Sequence, residues 1–227
     1  MWCIIMKIAL LTFYNEAIAD YGDITSKINE LYCKKHNITW IISTNPKYTD
    51  RHPAWENLPM LLTHIDDYDY VVWIDADAFF YVDGPSIEEF IMRNNETDFI
   101  FSRDLGNRPP PFGEINTGIF VAKKTEYSKK FLKLWAYDEE LYRNNTMKYR
   151  WDQGVLNDMY RQNVMDVQSH HHSIVLEYGA LQHFERDELG TFTPRPLVYH
   201  MAGRRACGRD HERVEHSREY YDQIKYG

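Results

Sequence analysis

Cysteine is scarce in this chain of 227 residues: there are three, Cys3, Cys33 and Cys207. An odd, widely spaced set does not make a disulfide framework, and it points to reduced thiols in an intracellular setting. The sequons at Asn37, Asn95 and Asn144 then read as chance matches. Long apolar runs are also missing, since no stretch approaches the ~20 residues of a membrane span. The opening "MWCIIMKIALLTFY" is interrupted by Lys7 and lacks both a basic n-region and a small-residue cleavage site. It reads as a first buried strand, and the chain as soluble, cytoplasmic and without a membrane anchor. Basic charge is in deficit: 26 Lys and Arg stand against 34 Asp and Glu, a net charge of −8. That balance argues against a general nucleic-acid binder. Internal repeats and low-complexity segments are absent as well.

What is present is the composition of a folded enzyme-sized domain. Hydrophobic residues make up 44% and charged residues 26%, which suits one large globular domain. Aromatics reach 15%, which disfavours disorder and offers flat surfaces for stacking, although in a chain of this size most aromatics pack. The runs "IIMKIALLTF", "ITWIIS" and "YVVWID" (4–13, 38–43, 70–75) read as strands. Between them, Ile24, Ile28, Leu31 and Tyr32 recur at helical spacing over about 23–36, and "AWENLPMLLTHI" reads as a helix that Pro59 starts late or kinks. Alternation of continuous apolar strands with helices predicts an α/β domain with a mixed, mainly parallel central sheet flanked by helices.

Downstream, "GPSIEEFIMR" predicts a short helix, "TDFIFSRD" a strand ending at Asp104, and "TGIFVAK" a further strand. A helix follows with Tyr127, Phe131, Leu134, Trp135 and Leu141 on one face, and "WDQGVLNDMY" opens another. "VMDVQ" and "SIVLEY" read as short strands, "GNRPPPFGEIN" as loop, and 213–225 as a polar terminal helix. A single domain is expected over 1–227, with one half over about 1–104 and the other over about 105–227.

Four clusters carry possible chemistry. Asp75 and Asp77 follow the apolar run "VVWI", and sites in such sheets gather at the carboxyl ends of strands. Two carboxylates there are either a solvated turn or a hard-oxygen half-site for a divalent cation. Dehalogenase-type phosphatases also place D-x-D after a strand, but want Thr or Val two residues on, where Phe79 stands. "PLVYHMAGRRACGRD" offers His200 as an imidazole ligand and Arg204, Arg205 and Arg209 as phosphate grips, or else is a surface loop. "EINTGIFVAKK" places Asn116, Thr117 and Gly118 at a strand start, where they contact a sugar or form an ordinary turn. "RWDQGVL" puts Asp152 and Gln153 at a helix start, as a cap or as polar contacts to a sugar. The triplet His170–His172 cannot converge on one ion and reads as loop, a possible wall of an acceptor groove.

In this order the four clusters, with the upstream "RHPAWENLPMLL", resemble the retaining galactosyl-, mannosyl- and xylosyltransferases of glycosyltransferase family 34 over roughly residues 5–207. In size and lack of an anchor the chain is also similar to the minimal glycosyltransferases of large algal viruses that act on capsid glycans. The resemblance implies a GT-A fold, a UDP-sugar donor, and Mn²⁺, or Mg²⁺, held by Asp75, Asp77 and His200. It implies that Thr12, Phe13 and Tyr14 hold the nucleoside base, with Ala76 beside the nucleotide. Gly203 and Arg205 would contact the diphosphate, Arg205 standing where the family tends to have Lys. Asn116 and Gly118 would line the donor-sugar pocket, Asp152 would hold donor hydroxyls, and Gln153 would lie beside the anomeric carbon. Asp77, Asp152 and Gln153 form the implied catalytic set. The family usually has Lys where Asn57 stands. The function implied is transfer of a sugar to a glycan or glycoprotein acceptor, with the half over about 1–104 binding the nucleotide and the half over about 105–227 the donor sugar and acceptor. A catalytically silent nucleotide-sugar or glycan-binding module and the phosphatase are the alternatives.

Overall fold

The apolar run after Lys7 forms β1 (Ile8–Phe13), and all six of its residues are buried. The coordinates are a computed structural model that describes residues 6–104, 115–138, 140, 151–184, 197–203 and 208–226. β1 is followed by α1 (Ala19–His36), β2 (Thr39–Ser43), α2 (Asn57–His64) and β3 (Tyr70–Ile74). α1 ends where Asn37 turns left-handed at φ 55°, with Lys34, Lys35 and His36 in its last turn facing the negative end of the helix dipole. Pro59 sits in the first turn of α2, after a 3-10 turn over Pro53–Glu56. A first-turn N–H has no intrahelical partner, so the proline costs little there and the helix starts late as its position predicts.

The remaining elements are β4 (Ala78–Phe80), α3 (Ile87–Arg93), β5 (Phe99–Arg103), β6 (Ile115–Lys123), α4 (Glu126–Tyr137), α5 (Trp151–Arg161), β7 (Ser173–Leu176), β8 (Gln182–His183), β9 (Val198–His200) and α6 (His211–Tyr226). Leu141 and the three-proline segment lie outside the described residues. The main sheet has the order β2-β1-β3-β6-β5-β7. The pairs β1–β2, β1–β3 and β5–β7 are parallel, while β6 runs antiparallel to both β3 and β5. The antiparallel β6 brings its first residues, and the end of β5, to the carboxyl end of β3.

Alternate side chains of the central strands feed two layers. Ala9, Leu11, Val71, Trp73, Phe99 and Phe101 pack with Leu58, Phe131, Trp135 and Leu156 on one face. Leu10, Val72, Ile74 and Val121 pack with Tyr32, Ile87, Phe80 and Val198 on the other. That two-sided burial explains why the strands read as continuous apolar runs.

One expectation needs correction. "VMDVQ" is not a strand: it holds a 3-10 turn over Val164–Asp166, because Asn163, Met165 and Asp166 all take positive φ (51°, 56° and 60°). Apolar composition there serves packing, as Val167 is fully buried. In "WIDADAFF" β3 ends at Ile74 and the two aspartates follow at its carboxyl end, as expected. The run continues into the separate β4, which joins β9 and β8 in a second, three-stranded sheet. α6 covers that sheet through Tyr220, Tyr221 and Ile224, with Tyr220 stacked on Phe79 at 4.9 Å.

Candidate active site

Between β3 and β4 the chain makes a tight turn that carries both aspartates. Ala78 N donates to Asp75 O at 3.0 Å, and Asp75 N donates to Gly118 O at 2.8 Å on β6. α1 supports the turn from behind. Thr25 Oγ1 donates to Ala76 O at 2.7 Å, and Asn29 donates to Ala78 O at 3.1 Å while accepting from Phe80 N at 2.9 Å. Ala76 is therefore buried and holds the turn through its carbonyl. β4 then pairs antiparallel with β9, placing Ala78 opposite His200, and Met201 N donates to Asp77 O at 2.8 Å. This pairing between segments far apart in sequence seats the imidazole beside the carboxylates.

Asp75, Asp77 and His200 each offer one donor atom, and those atoms lie within 4.8 Å of one another. His200 Nε2 is 3.2 Å from Asp77 Oδ1 and 3.9 Å from Asp75 Oδ2. The second polar atom of every ligand is tied elsewhere. Trp73 Nε1 donates to Asp75 Oδ1 at 2.8 Å, Arg213 Nη2 lies 2.8 Å from Asp77 Oδ2, and His200 Nδ1 lies 2.8 Å from Gln182 Oε1. Two carboxylate oxygens and one imidazole nitrogen, held facing one another, fit a divalent cation such as Mn²⁺ or Mg²⁺.

The electrostatics follow from this crowding. Burial and the opposing Asp77 carboxylate push Asp75 up to about 6, against the pull of His200, Trp73 and Arg213. Its side chain is still 41% exposed, so water reaches it. Burial also acts upward on Asp77, but His200 and Arg213 outweigh it and hold that carboxyl at about 2. His200 is buried, which disfavours its charged form, yet the two carboxylates raise it overall.

The expected donor-sugar residues converge on the same end of the sheet. Asn116 is buried, and its Oδ1 accepts from Gly118 N at 2.8 Å. Gly118 has a reason to lack a side chain. A Cβ there would lie 2.0 Å from His200 Cε1 and 2.6 Å from Nδ1, so the imidazole occupies that space. Asp152, 3% exposed, accepts from Asn57 Nδ2 at 2.7 Å. Where the resemblance has a lysine, this chain therefore places a neutral amide directly on Asp152. Burial and the Asp75 charge push Asp152 up to about 7, against hydrogen bonds that include Asn57. Gln153 is pinned at both ends of its amide: Oε1 accepts from Thr117 N at 3.2 Å and Nε2 donates to Asp104 Oδ2 at 3.2 Å. Asn157 ties α5 to the start of β6 by bonding both polar groups of Ile115, at 2.7 Å and 2.8 Å.

At the end of β1, Thr12 Oγ1 is committed to Ile74 O at 2.7 Å and Phe13 is in the core. Tyr14 is half-buried, with its hydroxyl on Asp23 at 2.9 Å. Gly203 takes φ 71° with open space around it, whereas Arg204 and Arg205 lie outside the described residues. The histidine triplet takes no part in the ligand group: His172 stacks on Tyr127 with ring centroids 3.6 Å apart and meets Asp98 at 2.8 Å. Arg213, Gln182, Asp104 and Trp73 are residues the sequence pattern did not single out. Arg213 lies in a polar terminal helix, and Gln182 belongs to a strand of only two residues.

A family model described as nucleotide-diphospho-sugar transferase matches residues 43–213, about three-quarters of the chain and all of the four clusters. The fold is similar to a solved glycosyltransferase involved in the glycosylation of the major capsid of PBCV-1, at 16% identity and TM-score 0.69, covering 94% of this chain and 99% of that one. It is also similar to the galactosyltransferase LgtC in complex with donor and acceptor sugar analogs, at 15% identity, TM-score 0.55 and 95% of both chains. A third similar structure is the glycosyltransferase GlyE of Streptococcus pneumoniae TIGR4, at 14% identity and TM-score 0.52, covering 86% of this chain and 54% of that one. No curated protein sequence matches significantly. No helix among the described residues is long and apolar enough to cross a membrane. The architecture is GT-A, the phosphatase reading is set aside with it, and the chain belongs to the nucleotide-diphospho-sugar transferase family as a glycosyltransferase.

Proposed function

We propose that the chain transfers a sugar from a UDP-sugar to a glycan or glycoprotein acceptor, with retention of configuration, and that it depends on Mn²⁺ or Mg²⁺. The observation that carries the reading is the convergence of Asp75, Asp77 and His200 at the end of β3, each presenting one atom with its other polar atom anchored. A divalent cation held there would neutralise charge on the departing diphosphate. The chain's own contribution is to hold these atoms fixed before the reaction, so that little reorganisation is needed as charge develops. Gly203 leaves open space for close approach of a phosphate to the main chain, and Arg205 is assigned the adjoining positive charge. Asp152, next to Asn57, is assigned the donor hydroxyls. Gln153 presents a neutral amide rather than a carboxylate near the reacting carbon, which supports attack by the acceptor hydroxyl from the same face as the leaving group. The similarity to a capsid-modifying glycosyltransferase supports a glycoprotein acceptor.

Calorimetry of UDP binding with and without Mn²⁺ tests the reading. Asp77→Ala and His200→Ala should each abolish the Mn²⁺-dependent part while circular dichroism stays native. Unchanged UDP affinity in both variants would sink the metal assignment. A donor panel scored by UDP release separates a transferase from a silent module, which would bind UDP and release none from any donor.

A further inference from the structure

The direction of the hydrogen bonds behind His200 can be worked out from one fixed point. Gly118 N is a main-chain amide and can only donate. It meets Asn116 Oδ1 at 2.8 Å, which makes that atom the carbonyl oxygen. Gln182 approaches the same oxygen at 3.0 Å, so the approaching group must be its NH₂. Gln182 Oε1, which can only accept, is then left 2.8 Å from His200 Nδ1. Nδ1 must carry hydrogen. In the neutral ring Nε2 is consequently bare, and Nε2 is the atom facing Asp77 Oδ1 and Asp75 Oδ2.

We propose that the Asn116–Gln182 amide pair is a positioning relay that locks His200 in the Nδ1–H tautomer and aims the Nε2 lone pair at a divalent cation; this rests on the metal reading above. Three further observations support it. Gln182 is completely buried, so water cannot substitute for it. The missing side chain at Gly118 leaves the ring its seat, since a Cβ would meet Cε1 and Nδ1. Both ends of the relay are anchored on strands: Asn116 sits in β6 and its Oδ1 takes the Gly118 amide, and Gln182 sits in β8, which pairs with β9. A buried partner on the far nitrogen is how proteins fix the tautomer of a ligating histidine, and its loss costs about 10- to 100-fold in metal affinity. Asn116 and Gly118 therefore act on the cation through His200, whatever contacts they also make to a sugar.

The test has a part that needs no variant. Long-range ¹H–¹⁵N correlation spectra of the metal-free wild-type chain, followed up in pH until the ring-nitrogen shifts of His200 reach those of a neutral imidazole, should show the Nδ1–H tautomer. An Nε2–H tautomer would overturn the relay. Mn²⁺ titration followed by electron paramagnetic resonance is the second readout. Gln182→Leu should weaken Mn²⁺ binding by about 10- to 100-fold, while Gln182→Glu should stay within about threefold of wild type. Glu keeps an acceptor for Nδ1–H in either protonation state, which Leu cannot. Equal affinity for wild type and Gln182→Leu would overturn the proposal, as would equal losses in both variants. A wild-type chain with the expected tautomer and no Mn²⁺ binding would instead overturn the metal reading, and with it the purpose of the relay.

Discussion

Arg213 reaches from α6 to the aspartate pair, its Nη2 2.8 Å from Asp77 Oδ2. It is 8% exposed, it also pairs with Asp210, and its guanidinium lies 5.2 Å from the centre of the Tyr21 ring. A buried cation thus stands on one side of Asp77 while His200 stands on the other. Removing it leaves two facing carboxylates with less compensation. Breaking a buried ion pair by deleting one partner costs about 3–5 kcal/mol, so Arg213→Met should melt well below wild type in chelator. Mn²⁺ should then raise the melting temperature of Arg213→Met more than that of wild type, because added positive charge replaces what was lost. Equal Mn²⁺ shifts in the two proteins would show that Arg213 does not serve the aspartates.

Gly118→Ala tests the seat of the imidazole. The added Cβ would lie 2.0 Å from His200 Cε1. β6 is central, held between β3 and β5, so the ring must give way rather than the strand. Overpacking of this kind costs about 1–3 kcal/mol, which a well-packed core can absorb. The expected outcome is a folded variant whose Mn²⁺ affinity, read by calorimetry, falls by about tenfold or more. Native affinity in a folded variant would mean that His200 does not bind the cation from this position.

The main sheet was legible because β1 and β3 are buried on both faces and so carry continuous apolar runs. The Asp pair was legible for a related reason, since charge inside such a run needs an explanation. His200 was harder, because its place depends on the pairing of β4 with β9, strands of three residues each. Elements that short hold no periodicity. Gln182 left no local signal at all, as its role exists only once β8 lies beside β9. Arg213 was hidden by its surroundings: α6 is charged along most of its length, and only Arg213 and Ser217 in it are buried. "VMDVQ" misled because apolar composition says nothing about the sign of φ at Asn163, Met165 and Asp166.

Asp152 predicts a pH dependence of stability. Burial and the Asp75 charge push its carboxyl from 3.8 up to about 7. The folded chain therefore keeps a proton that the unfolded chain gives up across the window between those values. Stability from this group is complete below about pH 4 and is lost as pH rises to about 7. Asp152→Asn keeps the shape and removes the titration. Urea unfolding from pH 5 to 8 in chelator should show a flatter decline for the variant. The gap between the two proteins should change by at most about 4 kcal/mol across the full window. Parallel curves would mean that Asp152 is ionised in the folded chain throughout.

Gln153 offers a kinetic test of why an amide stands at its position. Its Nε2 donates to Asp104 Oδ2 at 3.2 Å while Oε1 receives the Thr117 amide at 3.2 Å. Gln153→Glu keeps the second contact and turns the first into two carboxylates face to face. Such a pair holds one shared proton until the pH rises past its upper apparent value. With that proton the variant preserves the original hydrogen bond, and without it the two charges repel and the side chain leaves its place. UDP release should therefore persist best in acid and fall off at a lower pH than in wild type. At about pH 8, kcat should drop by roughly a hundredfold with KM changed far less, as expected for a group that acts when charge develops. Profiles that run parallel from acid to alkaline pH would show that the Asp104 contact does not set the position of Gln153.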